Sequence, residues 1–436
     1  MVCQPSAKAQ FFGGDRVVRI QRFLLLLLFV GCMRATALGQ STRPGDVPAN
    51  WVDESTGHRV HRLTSEANST GFYFNINAYT PDGREMVYNA PDGIHVLNLE
   101  SLKTRLLVAG KLKAIVVGKK TPTVFYVKDD RAIYSANIVT GETRKLADLP
   151  ARANVATVNA DETLAAGTYI EGTAGQDYGD AKLMPAGQSG PLVQPLNKAE
   201  MMEQRLAARL PLVLFTINLQ TGQQTALLHS TDWINHLLFS PADPGLLMYC
   251  HEGPWQKVDR IWTIRTDGTQ NTLIHKRTMA MEIAGHEFWG IDGKTIWYDL
   301  QTPKGEDFWL AGYDVQTGRR RWYHMQRNEW SIHFNVTADE SLFCGDGGDP
   351  GQVARAPDGE WIELFHPELT PVTGGNGRDL INPGVLHAER LVKMSKHNYK
   401  LEPNVRFSPD HKMVIFTSNM FGPSYVFGVE VAKTTP

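Results

Sequence analysis

Four short clusters of polar, chemistry-bearing residues interrupt otherwise apolar stretches of this 436-residue chain. They are His251-Glu252-Gly253-Pro254-Trp255 with Asp259-Arg260, Gly285-His286-Glu287-Phe288-Trp289, His333-Phe334-Asn335, and the run from His397 to Asn404. Imidazoles take protons near neutral pH or ligate metals, and carboxylates hold cations or pair with arginine. In the last cluster Glu402 and Asn404 are two apart, so an extended chain turns both to one face. Pro403 between them cannot donate to a ladder, which puts the pair at a strand start or on an edge. Oxygen-bearing side chains held at a strand mouth suit a metal or an anionic ligand. Any one of these histidines is as well explained as a capped strand-end residue. Recurrence, one cluster per repeating unit, is what points to a shared site.

The units that must position these clusters share one grammar. A polar turn built on Asp-Gly or a relative leads to an apolar strand, a second turn and further strands. Tyr79-Thr80-Pro81-Asp82, Val158-Asn159-Ala160-Asp161, Phe239-Ser240-Pro241-Ala242-Asp243, Trp289-Gly290-Ile291-Asp292, Val336-Thr337-Ala338-Asp339 and Phe407-Ser408-Pro409-Asp410 all open units this way. About seven units fit, each long enough for a four-stranded antiparallel sheet, which predicts an all-β, seven-bladed β-propeller. The alternating segment from His58 to Thr64 is expected to pair with the last strand, from Tyr425 to Val431, and so remove a free edge. Two insertions break the pattern. One, from Ala181 to Arg209, carries a short helix over Ala199 to Arg209. The other, from Pro367 to Met394, is rich in Gly, Pro and Asn and reads as a long loop.

A net charge of -2 excludes a broad basic surface for nucleic acid. Arg16, Arg19 and Arg22 precede the apolar run Phe23 to Val30, too short to span a bilayer, and small residues follow. Residues 1–39 therefore read as a signal peptide, 40–436 as a single domain, and the destination as periplasmic or secreted. Val30-Gly31-Cys32 offers a lipid anchor at Cys32 as the alternative. The two remaining cysteines, Cys250 and Cys344, sit in apolar strand-like runs and are expected as buried free thiols.

Cys250-His251-Glu252-Gly253-Pro254, Gly285-His286-Glu287-Phe288-Trp289, Gly345-Asp346-Gly347 and Phe416-Thr417-Ser418 resemble, in sequence and in order, the family of oligogalacturonate lyases. That resemblance implies a seven-bladed propeller enzyme that cleaves short pectin-derived uronates by β-elimination with a divalent metal, manganese in that family. It implies His286 as the base, Arg260 (one residue out of step) near the reacting carbon, His251 and Glu252 at the substrate, and His333 on the metal. Where the family carries Gln-x-x-His-Pro-His, this chain reads Tyr399-Lys400-Leu401-Glu402-Pro403-Asn404. The implied ligands are then His333, Glu402 and Asn404, with His397 as a replacement donor. Oxygen in place of nitrogen shifts preference toward harder cations such as calcium. The expected partner is an acidic oligosaccharide. Rival readings are a lyase for glucuronate-containing glycans and a non-catalytic periplasmic propeller that serves as a scaffold.

Overall fold

The computed structural model describes residues 47–172, 197–351, 355–371 and 380–434. The expected signal peptide and Cys32 lie outside the described residues. Within them the chain is all-β apart from one α-helix, Lys198–Ala208, and one short 3-10 turn, Arg327–Glu329. The helix falls in the insertion where it was expected, and Asn197 caps it by accepting from the Glu200 amide at 3.0 Å. No helix among the described residues is long and apolar enough to cross a membrane.

The strands form six sheets of three to eight strands. A unit runs strand, turn, then strands stepping away in order: Trp233–Phe239, Leu246–Glu252, Ile261–Arg265, Thr272–Leu273, and next Ile283–Trp289, Thr295–Gln301, Phe308–Asp314, Arg320–His324. The turn that follows each unit's first strand is the same turn seven times over. The backbone N–H of Thr80, Gly118, Asn159, Ser240, Gly290, Thr337 and Ser408 donates to the carbonyl five or six residues ahead, at 2.8 to 3.0 Å. An aspartate two residues on fixes several of them, as where the Thr80, Thr337 and Ser408 hydroxyls donate to Asp82, Asp339 and Asp410. Segments from all seven turns line one cavity.

An early and the last strand of the described residues share a sheet, as the alternation of the early segment predicted. His58–Arg62 pairs antiparallel with Tyr425–Lys433, Val60 opposite Val429. Apolar faces of neighbouring units pack on each other. Trp297 is wholly buried and meets Phe343 of the next unit at 4.9 Å, edge to face. Burying an indole contributes up to roughly 4 to 6 kcal/mol at about 25 cal/mol per Å². Only glycine fits opposite it, since a Cβ on Gly312 would stand 2.5 Å from the ring. Cys250 and Cys344 are free and buried, as expected.

One expectation fails. The stretch from Pro367 to Met394, read as a loop, contributes to a long hairpin of Trp361–Leu369 and Ile381–Lys393, and the second strand also pairs in parallel with Arg320–His324. The glycine and proline that suggested a break serve the sheet. A Cβ on Gly384 would lie 2.5 Å from the Glu368 carbonyl and 2.7 Å from the Tyr323 ring, so a bare backbone is what lets three strands meet there.

Candidate functional site

Strands Trp233–Phe239 and Ile283–Trp289 carry the same irregularity. Asn235 faces Cys250 and Leu238 faces Met248, so His236 and Leu237 together oppose Tyr249 alone. Likewise Gly285 faces Asp299 and Phe288 faces Trp297, so His286 and Glu287 oppose Tyr298. Such bulges re-aim a side chain out of the strand's alternation. Both histidines take a left-handed backbone, φ 46° and 47°. Non-glycine residues rarely occupy that region unless their surroundings hold them there.

His286 Nδ1 lies 2.8 Å from an oxygen of Asp299, a carboxylate only 1% exposed. A carboxylate accepts only, so Nδ1 carries the proton and Nε2 keeps a lone pair for a proton acceptor's work. Gly285 admits the pair, because its Cβ would sit 3.1 Å from the same Asp299 oxygen. His333, on the next unit, repeats the arrangement. Its Nδ1 is 2.8 Å from Asp346, again thirteen residues downstream, and its own amide donates to the other Asp346 oxygen. Burial works to lower the His333 pKa, but the Asp346 charge and hydrogen bond, with Glu402, outweigh it and leave it raised. His333 Nε2 is buried without a hydrogen-bond partner and faces the Glu402 carboxylate at 3.8 Å. The two imidazole rings meet edge to face at 5.1 Å.

Beside them lies a buried charge network. Arg260, 4% exposed at the side chain, donates from Nη1 to Glu252 at 2.8 Å and from Nε to Glu287 at 3.0 Å. His236 Nε2 stands 3.2 Å from the other Glu252 oxygen, and the Trp255 indole donates to Glu252 while facing His286 at 5.8 Å. Burial alone would raise the Glu252 carboxyl. The Arg260 and His236 charges reverse that and hold it well below the usual carboxylate range. Glu287 is lowered in the same way, against its burial.

The floor of the site is Phe72 to Ile76, where the first unit has no regular inner strand. Phe74 packs on His333 at 4.7 Å, and Tyr73 meets His333 at 5.2 Å and His236 at 6.1 Å. Burial, then the charges of Glu402 and Glu287, push the Tyr73 phenol well up, with Arg260 opposing. Phe74 and Asn75 also line the cavity of the seven turns, which His236, His286 and His333 do not. The chemistry is therefore gathered at one end of that cavity, not within it.

The sequence profile described as oligogalacturonate lyase matches residues 48–435. The chain belongs to the oligogalacturonate lyase family. An oligogalacturonide lyase of Pectobacterium atrosepticum is 24% identical over 390 residues, covering 87% of this chain and 95% of that protein. The oligogalacturonate lyase of Dickeya dadantii is 23% identical over 396 residues, with the same coverage. A solved oligogalacturonate lyase in complex with manganese shares the fold at TM-score 0.70 and 24% identity, covering 88% of this chain and 96% of its own. One from Vibrio parahaemolyticus does so at TM-score 0.70 and 22% identity, with the same coverage. Membership in this family sets aside the scaffold reading: the chain is a lyase.

The oligogalacturonate lyase resemblance had implied residues that the geometry treats unequally. His286, His333, Arg260, Glu252 and Glu402 come together. His251 does not. It alternates with Glu252 along a strand, so its ring faces Asp232 at 3.5 Å on the other side, where burial lowers its pKa. His397 is spent internally, Nδ1 at 3.0 Å from the Ser418 hydroxyl and Nε2 at 2.7 Å from the Leu401 carbonyl. No ring nitrogen is left to ligate. Asn404 is not on an extended segment with Glu402, for its φ is 56°. Its side-chain oxygen accepts from the Phe74 amide and its nitrogen donates to the Glu402 carbonyl. No group of three or more His, Cys, Asp or Glu among the described residues could hold a metal. The donors that remain are the unpartnered His333 Nε2 and the half-exposed Glu402 carboxylate. That pair, one imidazole nitrogen and one carboxylate, could give two ligands to a divalent cation whose remaining ligands come from substrate and water.

His236, Tyr73, Asp299 and Asp346 were missed. The aspartates had a signal, a histidine followed by an aspartate at the same spacing in two successive units. His236 had one too: it precedes the Ser240 turn by the same four residues that separate His286 from Gly290.

Proposed function

We propose that this chain is a seven-bladed β-propeller lyase that cleaves short oligogalacturonates by β-elimination, with His286 as the base. The observation that carries the chemistry is the His286–Asp299 pair, which leaves Nε2 unprotonated next to His333 and its open Nε2. Seven copies of one turn along one cavity, and the sheet shared by His58–Arg62 and Tyr425–Lys433, support the ring.

A uronate C5 proton is weakly acidic until the adjoining carboxylate is neutralised. His333 and Glu402 would hold a divalent cation, calcium or manganese, which supplies that neutralisation when bound. His286 Nε2 then accepts the C5 proton, and a base of this kind contributes about 10² to 10⁴ in rate. Asp299 fixes the tautomer and steadies the imidazolium that forms. Arg260, locked between two carboxylates, is the positioning residue that sets Glu252 and, through it, His236. Export to the periplasm or beyond on the leader, with removal of residues 1–39, fits an extracellular polysaccharide as the source of substrate. The N-terminal mass of the mature protein tests that, and a lipid on Cys32 would overturn it.

The decisive experiment follows absorbance of the unsaturated uronate product with oligogalacturonate, oligoglucuronate or no sugar. A rise with oligogalacturonate alone is expected. A rise with oligoglucuronate alone would move the substrate, and no rise with either would sink the reading.

A further inference from the structure

β-Elimination needs a second proton transfer that His286 does not perform at the same instant: the departing O4 must receive a proton as its bond to C4 breaks. Resting on the function proposed above, we infer that Tyr73 is the residue that supplies it.

The carrier of Tyr73 is built for placement. Between the isolated bridges Thr70–Asn89 and Tyr79–Met86, residues 72 to 76 make no ladder. Side chains from other units hold them instead. Arg406, 4% exposed, donates to the carbonyls of Phe72, Tyr73 and Ile76. Asn404 accepts from the Phe74 amide at 3.1 Å, and Asn75 donates to the Glu287 carbonyl at 3.0 Å. A guanidinium buried with only carbonyl partners is a costly anchor, so the position of this turn matters to the molecule. The ring of Tyr73 meets three others, those of Phe74, His333 and His236. Its hydroxyl makes no hydrogen bond among the described residues, and the residue is only partly buried. His236, the other acid within reach, faces Glu252 with its Nε2.

The spacing suits the reaction. C5 carries both the carboxylate and the proton to be removed, and its neighbour C4 carries the leaving oxygen. The groups that act on C5–H and on O4 must therefore both stand close to whatever anchors the carboxylate. His286 and Tyr73 both pack against the His333 ring, at 5.1 and 5.2 Å between centroids. A phenol is protonated at neutral pH and can give that proton away. The balance closes: the C5 proton goes to His286 Nε2, and the C5–H pair becomes the C4=C5 bond. The C4–O4 pair leaves on O4, which takes the Tyr73 proton, and water reprotonates the phenolate while His286 returns its proton to solvent.

Tyr73→Phe keeps the ring contacts and removes only the hydroxyl. Two substrates separate its roles: oligogalacturonate, and a galacturonide whose C4 substituent is fluoride, which departs without protonation. We expect kcat on oligogalacturonate to fall about 10² to 10⁴-fold, the scale of a lost general acid, with KM little changed. The same variant should stay within about tenfold of wild type on the fluoride. Near-normal turnover of oligogalacturonate by Tyr73→Phe would overturn the inference, and so would equal losses on both substrates, which would make Tyr73 a positioning residue. A wild type inert on both would overturn the function itself and this step with it.

Discussion

Replacing Arg260 with methionine tests whether the network beside the base is held by one guanidinium. Arg260, Glu252 and Glu287 are 4%, 6% and 1% exposed at their side chains, so solvent cannot take over a lost partner. Methionine fills similar volume, which confines the perturbation to charge. Glu252 would keep the Trp255 indole and His236. Glu287 would lose its one charged donor, because its Oε1 lacks a partner and its Oε2 is held by Arg260, leaving only the neighbouring Cys250 thiol. Stranding one carboxylate of a buried pair costs about 3 to 5 kcal/mol. Arg260→Met should therefore lose roughly that much, and adding Glu252→Gln with Glu287→Gln should recover most of it.

The pH dependence gives an independent check. In the wild type both carboxyls are lowered below their unfolded values, so their contribution is present above the unfolded pKa and fades as acid protonates them. In Arg260→Met the stranded carboxyl is raised by burial, so its penalty is absent below the unfolded pKa of about 4.3 and grows as pH rises through the raised value. Wild-type and variant stabilities should converge in acid and diverge toward neutrality. Urea unfolding followed by tryptophan fluorescence, from about pH 4 to 8, measures the gap. A gap below about 1 kcal/mol, or one independent of pH, refutes the reasoning.

Other expectations are shorter to state. His286→Ala should remove at least about a hundredfold of turnover and also lower the urea midpoint, because it strands the buried Asp299 carboxylate, and Asp299→Asn should cost about ten- to a hundredfold by presenting the wrong tautomer; activity near normal in either folded variant returns the pair to a structural role. Glu402→Gln should weaken calcium and manganese binding in calorimetric titrations, and Glu402→His with Asn404→His should shift preference toward nickel and zinc; unchanged titrations would show that the cation is held elsewhere. His397→Ala should destabilise by about 1 to 3 kcal/mol, leaving the Leu401 carbonyl and Ser418 without their partner, and should not abolish cation binding. Burial lowers the His397 pKa, so the wild-type contribution is present above the unfolded value near 6.5 and lost as pH falls through the folded one. The variant's stability should accordingly depend less on pH in that window, and an unchanged slope would contradict it.

The turns were legible because their chemistry is local. Thr80 with Asp82 and Ser408 with Asp410 close within three residues, so the pattern survives in the bare sequence. The turn at Gly118 was not, since no aspartate follows it. Its Lys120 and Thr121 amides are instead satisfied by Glu162, forty-odd residues away in the next unit. The hairpin that ends in Ile381–Lys393 failed for a related reason. Gly384 answers to the Glu368 carbonyl and the Tyr323 ring, neither of which is a neighbour in sequence.

The site was half legible, and the boundary follows from how it is built. His236, His286, His333 and Asn404 each stand four residues before their unit's turn, at Ser240, Gly290, Thr337 and Ser408. The other three units carry Ile76, Ala114 and Val155 there, so polar chemistry occupies four consecutive units and apolar residues the rest. Three of the four polar positions have left-handed backbone, and a reading that assumes strand alternation assigns their side chains to the wrong face. That is why Glu402 and Asn404 looked like a matched pair. Asn404 instead turns to the Phe74 amide, and in doing so secures the segment that carries Tyr73. Asn404, which the resemblance had implied as a ligand, thus serves the floor instead. With its oxygen on the Phe74 amide and its nitrogen on the Glu402 carbonyl, one side chain both fixes the phenol's segment and is unavailable to a cation.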